Sequence, residues 1–210
     1  MNTVEKLVAS QLLEVEAVKL RPNEPFTWAS GWKSPIYCDN RKTLSYPKVR
    51  STIKLELARL ILEKYPDVEV IAGVATGAIA QGALVADALG LPFVYVHPTP
   101  KDHGLENQIE GELRPRQSVV IVENQVNVGS NCLKVVKALK DSSCKVLGVV
   151  TIFDYGFAST YKKLEKAGVD LIALTNLETV LQHAENMNII DGEDSKAIHS
   201  WQRKPSKWTK

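Results

Sequence analysis

VEVIAGV (68–74), followed by ATGAIAQG (75–82), decides the fold. The first segment is a short, nearly uninterrupted apolar run. The second is a small-residue turn that opens a helix running to Leu89. Further apolar runs follow at LPFVYV (91–96), SVVIV (118–122), KVLGVVTIF (145–153) and VDLIALT (169–175), with helical patterns at about 132–140 and 158–167. Continuous apolar strands alternating with helices predict an α/β fold, a parallel sheet flanked by helices on both faces with right-handed crossovers.

Working outward, residues 4–20 read as a helix with Leu7, Leu12, Leu13, Val15 and Val18 among its apolar positions. Residues 21–46 are rich in Pro, Trp, Tyr and Ser and read as turns and short strands. Pro47 opens a second helix, 47–64. The stretch HPTPKDHGLENQIEGELRPRQ (97–117) breaks the rhythm. A loop of that length in a compact domain is usually functional or mobile, the plainer alternative being a surface β-hairpin. The last 35 residues read as helix plus a polar, Trp-containing tail, with the basic RKPSKWTK (203–210) a solvated tail or a dimer-edge segment.

The 210 residues suffice for one domain with a sizeable core. Lys+Arg 26 against Asp+Glu 24 leaves a net charge of +2, which gives no reason to expect a nucleic-acid partner. No apolar run reaches the roughly 18 residues of a bilayer span, and the N-terminus lacks the pattern of a signal peptide. Cys38, Cys132 and Cys144 have no metal-ligand spacing. A cytoplasmic protein is expected. Cys132, at a helix start, is expected to be somewhat acidic.

In an open parallel sheet, ligands bind beyond the carboxyl ends of the strands. After 68–74 come Ala75, Thr76, Gly77 and Ala78, whose backbone amides can approach an anion at a helix start. After 118–122 come Glu123, Asn124, Gln125, Val126, Asn127, Val128, Gly129, Ser130 and Asn131. A carboxylate, a small polar loop and then a helix start suit a phosphorylated ribose. The carboxylate accepts from sugar hydroxyls, while loop amides hold a monophosphate. The spacing matches neither a Walker loop nor a dinucleotide fingerprint. In the long loop, Lys101 and His103 could close over a polyanionic leaving group. Each feature alone is consistent with an ordinary turn, helix cap or surface lysine.

FTWASGWKSPIYCDNRKTLSYP (26–47), GVATGAIAQGALVADALGLPFVYV (73–96) and PKDHGLENQIEGEL (100–113) closely resemble the orotate phosphoribosyltransferase family, over about residues 5–205. The resemblance implies a type I phosphoribosyltransferase-like fold. One domain would span 1–210, with a hood from about 1–46 plus the C-terminal segment, a core of about 47–175 and a flexible loop of about 97–117. It implies 5-phosphoribosyl 1-diphosphate (PRPP) and orotate as substrates, Mg2+ carried on the substrate with no direct protein ligand, and a homodimer whose loops complete each other's sites. Lys101 and His103 would stabilise the departing diphosphate, with His97 as a neighbour. Ala75, Thr76, Gly77 and Ala78 would hold it through amides, Glu123 and Asn124 would face the ribose, Gly129 to Asn131 the 5′-phosphate, and Asn127 and Tyr37 the orotate.

The chain departs from the family pattern within these segments. A second acid is replaced by Asn124, a phosphate-binding threonine by Val128, a glycine by Ser130, a Ser/Thr near orotate by Asn127, an arginine by His97 and a proline by Ala80. Three readings follow from the sequence: a transferase forming orotidine 5′-monophosphate, a catalytically impaired paralogue binding PRPP or a nucleotide as sensor or partner subunit, and a transferase acting on another base.

Overall fold

A computed structural model describes residues 3–28, 31–99 and 108–208. Helix α1 (Thr3–Glu14) leads into β1 (Val18–Leu20), β2 (Phe26–Thr27), β3 (Lys33–Ser34) and β4 (Ile36–Cys38), then a 3-10 turn (Asn40–Ser45) and α2 (Pro47–Lys64). The alternating unit then runs β5 (Val70–Val74), α3 (Ile79–Leu89), β6 (Phe93–Val96), β7 (Ile109–Glu110), β8 (Ser118–Val126), α4 (Ser130–Asp141), β9 (Lys145–Asp154), α5 (Ala158–Lys166) and β10 (Asp170–Asn176). Helices α6 (Leu177–Asn186) and α7 (Gly192–Arg203) and a final 3-10 turn (Pro205–Lys207) close the described chain.

The main sheet has the order β10-β9-β8-β5-β6-β7. All its pairs are parallel except β6 with β7. The predicted apolar runs are the five parallel strands. Period-two alternation divides them between two cores. Val70, Ala72, Val119, Ile121 and Val149 pack toward α4 and α5. Ile71, Val120, Val122, Val150 and Ile152 pack toward α1, α2, α3 and α6. A sheet covered on both faces forces near-continuous hydrophobicity, which is why the strands are legible as uninterrupted runs. Antiparallel β7 shows that part of the 97–117 stretch does pair as a hairpin on β6. Gln108 fastens its base, its carbonyl accepting from the His97 amide at 2.8 Å and its Nε2 donating to the His97 carbonyl at 3.0 Å.

The first helix is shorter than the 4–20 expected. It stops at Glu14, where Glu16 takes φ 53 and the amides of Glu16 and Ala17 bond to the carbonyls of Leu13 (2.9 Å) and Leu12 (2.8 Å). Such a left-handed residue with back-bonding amides is a helix terminator. Val18 therefore belongs to β1, paired antiparallel with β4. Leu7 is 44% exposed, and the buried face is Val8, Ala9, Leu12 and Leu13. The expected helix near the end of the chain is α7, and it is anchored by aromatic packing. Trp201 is fully buried and makes edge contacts with Trp28, Tyr155 and Phe157, while its Nε1 donates to the Lys33 carbonyl at 3.1 Å. Gln202 Nε2 donates to the Tyr155 carbonyl at 2.7 Å. The last helix thus holds the β2–β4 region against the end of β9.

Removing that indole leaves a large void and an unpaired carbonyl. Trp201→Ala is expected to lower stability by about 3–5 kcal/mol, read as a fall in denaturation midpoint at unchanged m-value.

Candidate functional site

From β5 the chain leaves to one side, through α3 to β6. From β8 it leaves to the other, through α4 to β9. The crevice between β5 and β8 is therefore the topological switch point of the sheet, where such folds place ligands. A cavity of about 480 Å³ opens there, lined by residues 37–41, 74–77 and 123–132. A second, of about 570 Å³, is lined by Thr27, Trp28, Trp32, Tyr155 and residues shared with the first. Tyr37, Cys38, Gln125, Asn127 and Val128 line both and form the seam between them.

The floor of the first cavity holds a carboxyl that gives up its proton reluctantly. Glu123 is enclosed by protein but still reached by solvent through the cavity. Desolvation pushes its carboxyl up to about 8, against the smaller opposing effect of the Asn124 amide, which donates to Oε1 at 2.8 Å. Asn124 is buried and crosses the crevice: its Nδ2 donates to the Gly77 carbonyl at 2.6 Å. Its own carbonyl accepts from Nδ2 of buried Asn40 at 2.7 Å. Asn40 is fixed in turn by Thr43 Oγ1 on its carbonyl (2.6 Å) and the Cys38 thiol on its Oδ1 (3.3 Å). One asparagine thus ties the β4 segment, the β5–α3 turn and the β8 strand together. An ionised aspartate could not donate to Gly77.

Of the turn residues, Ala75 and Ala78 have their amides engaged, by the carbonyls of Val96 (2.9 Å) and Val74 (3.0 Å). The Thr76 and Gly77 amides have no protein acceptor among the described residues, so these two are available to an anion. Ala78 is fully buried and does not line the cavity. Across the crevice, Gly129 is the N-cap of α4 at φ 72. A Cβ there would come within 2.9 Å of Thr160 Cγ2, so both conformation and space require glycine. The next three amides, of Ser130, Asn131 and Cys132, form the open N-terminal turn of α4, a good anion cradle. The loop before it is rigid. Asn127 Oδ1 accepts from the Val128 amide at 2.6 Å, and the Asn127 carbonyl accepts from Thr160 Oγ1 at 2.6 Å.

Glu123 to Asn131, Ala75, Thr76, Gly77 and Tyr37 are therefore brought together as expected. His97 is not. It follows β6, stacks edge-on to Tyr95 and does not line either cavity; its Nε2 is buried without a partner among the described residues. Lys101 and His103 lie outside the described residues. Sequence reasoning missed Asp39, Asn40 and Arg41 at the cavity wall. Arg41 grips Asp39 bidentately (2.7 and 2.9 Å), and this guanidinium holds the Asp39 carboxyl below its usual range. Their signal was the polar run DNRK ending an otherwise aromatic segment. Cys132 is not acidic: burial, then the neighbouring Glu123, pushes its thiol well up. Among the described residues no group of three His, Cys, Asp or Glu side chains could cage a metal ion. Asp39 is committed to Arg41, and burial pushes the Glu123 carboxyl up. Such a donor set suits a cation carried on a ligand's phosphates.

The raised Glu123 carboxyl makes stability depend on pH. Between about 4.5, its ordinary value, and about 8 the folded chain keeps a proton that the unfolded chain has lost. Stability therefore falls as pH rises through that window and levels off above it. Glu123→Gln is expected to flatten this part of a melting-temperature profile and to melt above the parent at pH 8.

No family model matches the chain. The orotate phosphoribosyltransferase of Porphyromonas gingivalis is 56% identical over 208 residues, covering 99% of both chains. That of Listeria monocytogenes is 47% identical, covering 99% of this chain and all of the relative. Among solved structures, orotate phosphoribosyltransferase from Aeropyrum pernix matches with a TM-score of 0.72 at 26% identity, covering 86% of this chain and 99% of that one. Leishmania donovani UMP synthase shares the fold, with a TM-score of 0.80 at 24% identity over 94% of this chain and 42% of that one. With near-complete coverage at such identity, the chain belongs to the orotate phosphoribosyltransferase family.

Proposed function

We propose that the chain transfers the phosphoribosyl group of PRPP to orotate, giving orotidine 5′-monophosphate and diphosphate. The observation that carries this is the pair of joined cavities at the switch point. One is lined by polar groups and free amides, the other by aromatic rings, and they meet at a seam where a sugar can sit between phosphate and base. The bond from ribose C1 to the diphosphate oxygen breaks, the bond from C1 to orotate N1 forms, and the N1 proton is lost.

The α4 amides hold the 5′-phosphate. Glu123 meets the ribose hydroxyls. Its protonated carboxyl can donate to one hydroxyl and accept from another, so it binds the sugar without repelling the phosphates. The Thr76 and Gly77 amides meet the diphosphate, with Arg41 beside the cavity mouth. Trp28, Trp32, Tyr37 and Tyr155 wall the base, and Asn127 keeps its Nδ2 as a donor toward it. Mg2+ bound to the substrate's phosphates would neutralise charge that develops on the leaving diphosphate. Lys101 and His103 would meet that charge from the loop. A hood of residues 1–46 plus the C-terminal segment over a 47–175 core, a homodimer exchanging loops and a cytoplasmic setting complete the reading. No described helix is long and apolar enough to cross a membrane.

The test is orotidine 5′-monophosphate formation from orotate, PRPP and Mg2+. Turnover above an enzyme-free control is expected, and ligand binding without turnover would favour the impaired-paralogue reading. Lys101→Ala is expected to lower kcat by about 100-fold, the scale of losing one charge-stabilising group. Asn124→Asp is expected to raise kcat by about tenfold, roughly 1.4 kcal/mol of barrier, because it places a carboxylate beneath the developing positive charge on the ribose. It should also melt earlier, since the bond to the Gly77 carbonyl is lost.

A further inference from the structure

Gln125 is the seam residue to which the reading above gives no task. It lies near the end of β8 and lines both cavities. Its Oε1 is closed off from solvent and finds no donor among the described residues. Native proteins leave few buried acceptors unpaired, and those they leave call for an explanation. Two of the seam's donors are already committed. The Cys38 thiol is given to Asn40, and the Val128 amide to Asn127. The terminal torsion of glutamine is soft, and the carboxamide can turn its oxygen toward either cavity without moving β8.

We propose that Gln125 is a specificity-determining residue for the acceptor base, its carboxamide oxygen taking a hydrogen bond from a ring N–H of the base in the aromatic cavity. This rests on the phosphoribosyl-transfer reading and sharpens it. Of the two ring N–H groups of orotate, N1 becomes the glycosidic nitrogen and gives up its proton. N3–H is the donor that remains. Gln125 Nε2 then faces the adjacent ring carbonyl, so the side chain reads a lactam edge with one acceptor and one donor. A base without that N–H leaves the oxygen unpaired.

The test compares orotate with N3-methylorotate as substrates, at saturating PRPP and Mg2+, for the full-length protein and for Gln125→Leu. A second variant, Gln125→Met, keeps the side-chain length without an amide, should leucine disturb β8. The parent is expected to prefer orotate. The variants are expected to shrink that preference by about tenfold, the worth of one hydrogen bond. A methyl group that merely clashes would be rejected equally by parent and variants, and an unchanged ratio overturns the proposal. Where turnover is slow, the same ratio is read from calorimetric Kd values for orotidine 5′-monophosphate and its N3-methyl derivative. If the parent neither turns over orotate nor binds the nucleotide, the transfer reading itself fails and takes this one with it. If it does either and the ratio does not move, this proposal fails alone.

Discussion

The constraint on which the rest depends is the divergence of the chain at β5 and β8. Two neighbouring parallel strands feed helices that pack on opposite faces of the sheet. Their carboxyl ends therefore cannot be roofed by either crossover, and a crevice remains. Everything that bears chemistry is attached to its rims: the Thr76 and Gly77 amides on one side, and Glu123 and the open turn of α4 on the other. Both strands are interior to the sheet. Asn124 then bridges the gap with a hydrogen bond to Gly77, so the two halves of the site are spaced by a side chain as well as by the sheet.

That bridge changes how the departures from the family pattern are understood. Asn124 removes a negative charge, and Glu123 keeps its proton because burial outweighs the one amide it accepts from. A carboxyl so raised suits the phosphates of a ligand and gives less help to a developing cation. In exchange, the amide gives structural order that a carboxylate would not. Val128 follows the same pattern. It has no hydroxyl for a phosphate, yet its amide secures Asn127 Oδ1 and thereby orients that side chain's remaining donor.

The sheet was legible because burial on both faces makes the middles of β5, β6, β8, β9 and β10 near-continuously apolar. The small-residue turn and the Glu123–Asn131 loop were legible because they directly follow such strands. The first helix was misjudged in length, since apolar spacing alone does not reveal that Glu16 adopts a left-handed turn. His97 was placed in the site by analogy of position, but its ring packs on Tyr95 instead. Asp39, Asn40 and Arg41 were missed because their role comes from a contact across 84 residues, between Asn40 and Asn124, which no local pattern encodes. The aromatic cavity was equally hidden. Its walls come from residues 27–38, from β8 and its following loop, and from Tyr155.

The contact of Trp201 with Trp28 and Lys33 joins the last helix to a segment made among the first forty residues. During synthesis the sheet can assemble as its strands emerge, since each pairs with a strand already made or soon to follow. The aromatic wall cannot. A nascent chain interrupted before residue 201 has its alternating core but lacks the indole that packs on Trp28 and Tyr155. The aromatic wall is thus completed only once Trp201 has been made and docks against Trp28 and the Lys33 carbonyl, so that a late step of synthesis fixes a segment made early.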